Sequence, residues 1–410
     1  MDNFHKHLEQ YAALAVEVGV NIQPGQPLWI AAPVAAAEFV REIAKHAYKI
    51  GAKYVHVDWN DDLVTRARLE HAAEESLSFA PAWNVAGRIE LAEEGAAFLT
   101  IVSENPGALR GIDPARIALA TKAQQQVVQP FRPYTLNNVC AWSIVAYPTQ
   151  AWADKVFPEL PEGERVSALW DAIFSATRAK ESDPVGLWKT HAETLGTKAA
   201  RLNERKYKEL RYRAPGTDLT VGLPEGHIWS FAGKTNARGS EFIPNMPTEE
   251  VFGSPHRDRV NGTVSSSKPL SYGGKLIDNF SFTFKDGRIV DFTAEKEYET
   301  LKQLVETDEG SHYLGELALV PHRSPISDTN LIFYNTLFDE NAACHLAIGF
   351  GFPFAVEGGS AMTKEQLAEK GINHSLTHVD FMIGRADLQI DGIAEDGSAE
   401  PIFRDGNWAF

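Results

Sequence analysis

Residues 27–59 read PLWIAAPVAAAEFVREIAKHAYKIGAKYVHVDW. Two short apolar runs, PLWIA at 27–31 and YVHVDW at 54–59, bracket an Ala-rich amphipathic segment at 35–50. The runs have the length and the aromatic and β-branched content of strands, and the segment between them has helical length. Gly51 suits the position just beyond a helix end. Strand, helix and strand form one crossover unit, which predicts a parallel α/β layer. Moving outward, Leu8, Tyr11, Ala12, Ala15 and Val16 sit at helical spacing over 4–19, and NIQPG at 21–25 reads as a turn. Helical patterns follow at 61–78 and 82–93, and strands at 98–102 and 139–147. No Gly-x-Gly-x-x-Gly follows the first strand, so the usual dinucleotide fingerprint is missing.

Residues 163–206 are helical, and the composition then changes. From 208 onward Gly, Thr and Ser are frequent and strands alternate, as at 219–221 and 280–284. The chain has 410 residues, more than one core of roughly 250–300 residues usually supports. The expected fold class is therefore α/β in two domains. Residues 1–205 are expected to form an N-terminal α/β domain, and 206–410 a strand-rich C-terminal α+β domain with a mixed sheet.

The formal charge of −16 disfavours nucleic acid and anionic membranes as partners. Two cysteines, Cys140 and Cys344, are too few for a disulfide framework or a thiolate zinc site. The first twenty residues lack a basic start and apolar core, and no run of about 18 apolar residues occurs. The expectation is a soluble, cytoplasmic protein.

His-Glu-x-x-His, the P-loop and Gly-x-Ser-x-Gly are all absent. Four other stretches carry acids or histidines. In NHSLTHVDFMIG at 373–384, His378 and Asp380 lie two apart on a predicted strand, so they share a face. That pair suits a first-row metal, or else a solvent face. In FDENAACHLAIGFGFP at 338–353, Glu340 and His345 lie five apart. On a regular helix that is about 140° of rotation, so they converge only if a loop or helix start intervenes. Otherwise they are a solvated acid and a core histidine. In NMPTEEVFGSPHR at 245–257, Glu249 and Glu250 follow a Pro-Thr turn, where acids also suit the start of an element. In SHYLGELALVP at 311–321, Glu316 interrupts an apolar strand. A lone carboxylate there is costly unless paired or metal-bound. Glu250, Glu316, Glu340 and Asp380 supply four negative charges, which two divalent cations would balance, and His345 and His378 add neutral nitrogens. A carboxylate-and-imidazole set without thiolates suits zinc, cobalt or manganese.

These stretches, together with LEQYAALAVEVGVNIQPGQ at 8–26 and AYKIGAKYVHVDW at 47–59, resemble the thermophilic-type metallo-aminopeptidase family, the aminopeptidase T and aminopeptidase S/PepS enzymes. The resemblance covers nearly the whole chain. It implies that 206–410 is the catalytic domain and holds a two-metal site, that N-terminal amino acids are released from short peptides, usually with broad specificity, and that the chain forms a homodimer. It assigns the metal ligands to Glu250, Glu316, Glu340, His345, His378 and Asp380, with His378 either a direct ligand or oriented behind one. Glu249 is the expected proton shuttle. The family pattern also expects an active-site tyrosine where this chain has Phe352. That departure motivates the alternative of a metal-dependent peptide binder of reduced or no activity. A small-molecule α/β enzyme unrelated to peptides is the third reading, and low metal content would favour it.

Overall fold

A computed structural model describes residues 3–103, 105 and 107–410. The chain divides into two compact units. One holds the chain up to His191 together with Gly233–Pro247, and the other holds Ala192–Ala232 and Thr248–Phe410.

The first unit contains the expected parallel layer. Its four strands lie in the order Tyr54–Asn60, Pro27–Pro33, Ala97–Val102 and Trp142–Ala146, all parallel. The crossover helix Ala37–Lys49 buries Phe39, Val40, Ile43 and Ala47, one stripe at helical spacing. The helical pattern at 61–78 splits into Asp62–His71 and Glu74–Leu77. Asp61 caps the first of these through bonds from the Leu63 and Val64 N–H groups. The pattern at 163–206 likewise splits, into Glu162–Ala176 and Pro184–Arg205. Arg178 has a positive φ of 60° shortly after the first of them ends, and Pro184 opens the second.

The second unit is built on two sheets. The larger runs from Leu270–Tyr272 through Lys275–Lys285, Val260–Ser265, Thr217–Gly222, Glu209–Ala214 and Gln389–Ile393 to the C-terminal strands, with Arg288–Lys296 paired to Lys275–Lys285. The smaller has five antiparallel strands, in the order His378–Met382, His345–Gly349, Leu314–Leu319, Val251–Gly253 and Ser230–Phe231. Every residue of Leu314–Leu319 is buried, so this central strand is covered on both faces. The five-stranded sheet holds most of the acids and histidines singled out above.

Candidate metal centre

Strand register brings these residues together. Ala347 stands opposite Glu316 on one side and Asp380 on the other. His345 lies two residues before Ala347, and His378 two before Asp380, so all four functional side chains share one face. Ala318, opposite His345, and Ala347 are small, which leaves room above the sheet between them. A register shift lies between Leu314 and Glu316, where Gly315 is the extra residue. A Cβ on Gly315 would lie 2.2 Å from the Phe350 carbonyl oxygen, so only glycine fits. The bulge sets which face Glu316 occupies, because one residue of slip turns a strand's side chains over.

Glu250 precedes the Val251–Gly253 strand by one residue and lies two before Phe252. Phe252 is paired with Ala318, so it too lies on the face of His345 and Ala347. The Glu250 carboxylate reaches His345, with 3.5 Å between Oε2 and Nε2. His378 Nε2 lies 3.0 Å from Glu316 Oε2 and 3.5 Å from Asp380 Oδ1. One donor atom from each of Glu250, Glu316 and His345 lies within 4.8 Å of the others, and the same holds for Glu316, His378 and Asp380. Glu316 belongs to both groups. Glu340 belongs to neither. It begins a single tight turn, Glu340–Ala342, and His345 then opens a strand, so the pair does not lie on one helix. Asn341 is fully buried and anchors this turn. Its amide donates to Glu340 Oε1 at 3.3 Å, and its oxygen accepts the Glu249 N–H at 2.8 Å.

The imidazoles are held in one orientation. His378 Nδ1 bonds the Phe350 carbonyl at 2.7 Å, and His345 Nδ1 faces the Ala343 carbonyl at 3.2 Å. A carbonyl can only accept, so each Nδ1 carries a proton and each Nε2 is turned to the cluster, where that of His378 donates to Glu316 until a metal takes the place of its proton. This is how histidines are prepared for metal. Burial pushes the Glu316 carboxyl up to about 7, against the hydrogen bond from His378. Burial also raises Glu340 well above the carboxylate range, and the negative charges of Glu250, Asp380 and Glu316 add to it. Burial would raise Asp380 as well, but the His378 hydrogen bond and the charges of His345 and His378 hold it below its usual value. His378 is depressed by burial yet raised to about 11 by Asp380 and Glu316.

A divalent metal fits these residues. The donors are hard oxygens and imidazole nitrogens, the carboxylates repel one another without a cation, and the buried Asp380 Oδ1 has only a long contact, 3.5 Å, to the imidazole it shares with Glu316. The carboxylates and oriented imidazoles are the donor set of a metal-dependent hydrolase.

Comparison with known proteins agrees. The chain belongs to the thermophilic metalloprotease (M29) family, which it matches over residues 4–408. It is 54% identical to aminopeptidase AmpS of Bacillus subtilis over 410 residues, covering all of both chains. It is 52% identical to aminopeptidase 2 of Geobacillus stearothermophilus, covering all of this chain and 99% of that one. The solved structure of wild-type AmpT from Thermus thermophilus matches with a TM-score of 0.92 and 43% identity, over 99% of this chain and 100% of that one.

Of the six residues that the sequence singles out, Glu250, Glu316, Glu340, His345, His378 and Asp380, the fold gathers all but Glu340 into two overlapping groups. No sequence pattern marks Asn341 as the anchor of this turn, and Phe252 lies outside the acids and histidines. Phe252 could have been found from its spacing of two from Glu250. Phe352 stands beside the cluster, its ring centroid 5.1 Å from that of His378.

Proposed function

We infer that this chain is a metallo-aminopeptidase that hydrolyses N-terminal amino acids from peptides, and that residues 206–410 carry the chemistry. The observation that carries this reading is the pair of donor groups sharing Glu316 on one sheet face. Each curated relative named above is itself an aminopeptidase, and none of them favours a non-catalytic binder.

Glu250, Glu316, Glu340, His345, His378 and Asp380 would hold two divalent ions, zinc, cobalt or manganese. Bound there, the ions lower the pKa of water and polarise a carbonyl. The chain's own residues do the rest. His345 and His378 keep their protons on Nδ1, so Nε2 stays a ligand. Glu249, buried and held through its N–H by Asn341, accepts the proton of the attacking water and returns it to the leaving amine nitrogen. Phe352 fills the position of the family's tyrosine without its hydroxyl, so transition-state charge is stabilised by one donor fewer.

Elemental analysis of purified protein, with turnover of an aminoacyl chromogenic anilide after zinc, cobalt or manganese loading, tests the reading. About two ions per chain and metal-dependent turnover are expected. Stoichiometric metal without turnover on any aminoacyl substrate would revive the binder. The assembly proposed is a homodimer, and light scattering near the 45.2 kDa monomer at micromolar protein counts against it. The proposed compartment is the cytoplasm, in keeping with two free, buried cysteines. Among the described residues no helix is long and apolar enough to cross a membrane.

A further inference from the structure

We propose that Phe252, Phe352 and Phe354 form the wall that receives the side chain of the substrate's first residue, so that this chain favours peptides beginning with a large apolar or aromatic residue. The proposal rests on the aminopeptidase reading above. It adds to that reading the substrate class and the residues that select it.

The three rings make a closed triangle. Phe352 stacks on Phe354 with centroids 5.0 Å apart and planes 14° from parallel. Phe252 meets Phe352 edge-on at 5.7 Å and Phe354 at 6.1 Å. Register puts Phe252 on the same sheet face as the metal-ligating residues, and Phe352 touches His378 at 5.1 Å. The wall therefore starts where the donor cluster ends. A peptide whose first amide lies over the cluster has its first side chain within one ring's reach of Phe352.

The rings are not simply core. A comparable stacked pair elsewhere, Phe333 and Phe338, has centroids 4.6 Å apart and both residues fully buried. Phe354 is 37% exposed, and Phe352 is only partly covered. Apolar rings left open beside buried charges expose surface that a substrate side chain would cover. A further ring or branched chain can join the set at the usual centroid spacing of about 4.5–7 Å.

The wall is also held in place before substrate arrives. The Phe352 N–H donates to the buried Ser254 Oγ at 2.9 Å. The Ala355 N–H bonds the Phe352 carbonyl at 3.0 Å, and the Ala355 carbonyl accepts the Ile228 N–H at 2.8 Å. A fixed wall loses little entropy on binding, so its apolar contacts translate into selectivity.

The test uses the full-length, metal-loaded protein and two readouts. The first is kcat/KM for the chromogenic anilides of Phe, Leu, Ala, Arg and Glu. The second is the calorimetric Kd of phenylalaninamide against alaninamide. We expect Phe and Leu to exceed Ala and Glu by at least about tenfold in kcat/KM, and phenylalaninamide to bind tighter by a similar factor. In Phe354→Ala the Phe-to-Ala ratio should fall about tenfold in both readouts, while Phe354→Leu should keep most of it. Thermal melting confirms that each variant is folded. A flat substrate profile, a ratio unchanged in Phe354→Ala, or preference for Arg through its cation overturns the proposal. Absence of turnover on every anilide overturns the aminopeptidase reading instead, and the amide affinities then still decide whether the wall selects apolar side chains.

Discussion

Asp58 and Glu316 both sit on strands of their sheets, and they meet different fates. Asp58, in the parallel sheet, accepts bonds from Asn84 Nδ2 at 2.9 Å and Arg88 Nη2 at 2.8 Å. A permanent cation neutralises it, and about a quarter of its side chain reaches solvent. Glu316, in the five-stranded sheet, has a nearly buried carboxylate, and its bonded partner is an imidazole. Asp380 faces the same imidazole. The difference teaches how to tell a structural acid from a ligand. An acid given its own guanidinium is already neutral in effect, whereas acids sharing one histidine leave negative charge for a metal to balance.

The comparison breaks most sharply at Glu316. Glu316→Ala should lose metal and lower kcat/KM by more than about 100-fold, since even residues behind metal ligands are worth 10–100-fold. The far-UV circular dichroism spectrum should be unchanged. Normal metal content and turnover in the purified variant would remove Glu316 from the site.

Metal removal comes next. In the metal-free protein the Glu316 pKa is raised from 4.5 to about 7, so the folded state binds this proton more tightly than the unfolded chain. Stability is then lost as pH rises from about 4.5 to 7. His378, raised to about 11, acts in the same direction, its contribution being lost as pH rises further. Denaturant titrations of chelated protein should therefore show stability falling from pH 5 to 8, and saturating metal should flatten the slope. Parallel curves with and without metal would mean the cluster holds none.

A smaller effect is expected at Phe352. Phe352→Tyr keeps the ring and restores the hydroxyl of the family pattern. If that hydroxyl donates to the developing oxyanion, kcat should rise about tenfold with little change in KM. Equal turnover at saturating metal would leave Phe352 as a wall residue alone.

Asp58 provides the smallest change. Asp58→Ala removes a pair with Arg88 that is about one-quarter exposed and should cost about 1 kcal/mol of stability, with metal content unaltered. Loss of metal in this variant would erase the distinction drawn between the two acids.

Several of these features were legible in residues alone. The crossover unit at 27–59 carried its own periodicity, and the helix and both strands occur where spacing put them. Glu316 stood out because an acid in an apolar strand needs a partner. The His378 and Asp380 pair followed from the two-residue repeat. Glu340 and His345 were harder. Their spacing is uninformative unless the chain is known to turn at Glu340 and enter a strand at His345, and that path depends on Asn341 bridging to Glu249 from far away in sequence.

By itself, then, the sequence determined a parallel α/β layer, a strand-rich second half, and a set of acids and histidines fit for divalent metal. It did so because periodicity and the cost of burying an unpaired charge are local properties. Tertiary structure alone decided which of them meet. Ala347 stands between Glu316 and Asp380 through antiparallel register, and the bulge at Gly315 sets the face that Glu316 occupies. Phe252, Phe352 and Phe354 become one wall because a strand and a distant loop pack together. Register and packing depend on contacts between residues tens of positions apart, which no local pattern encodes.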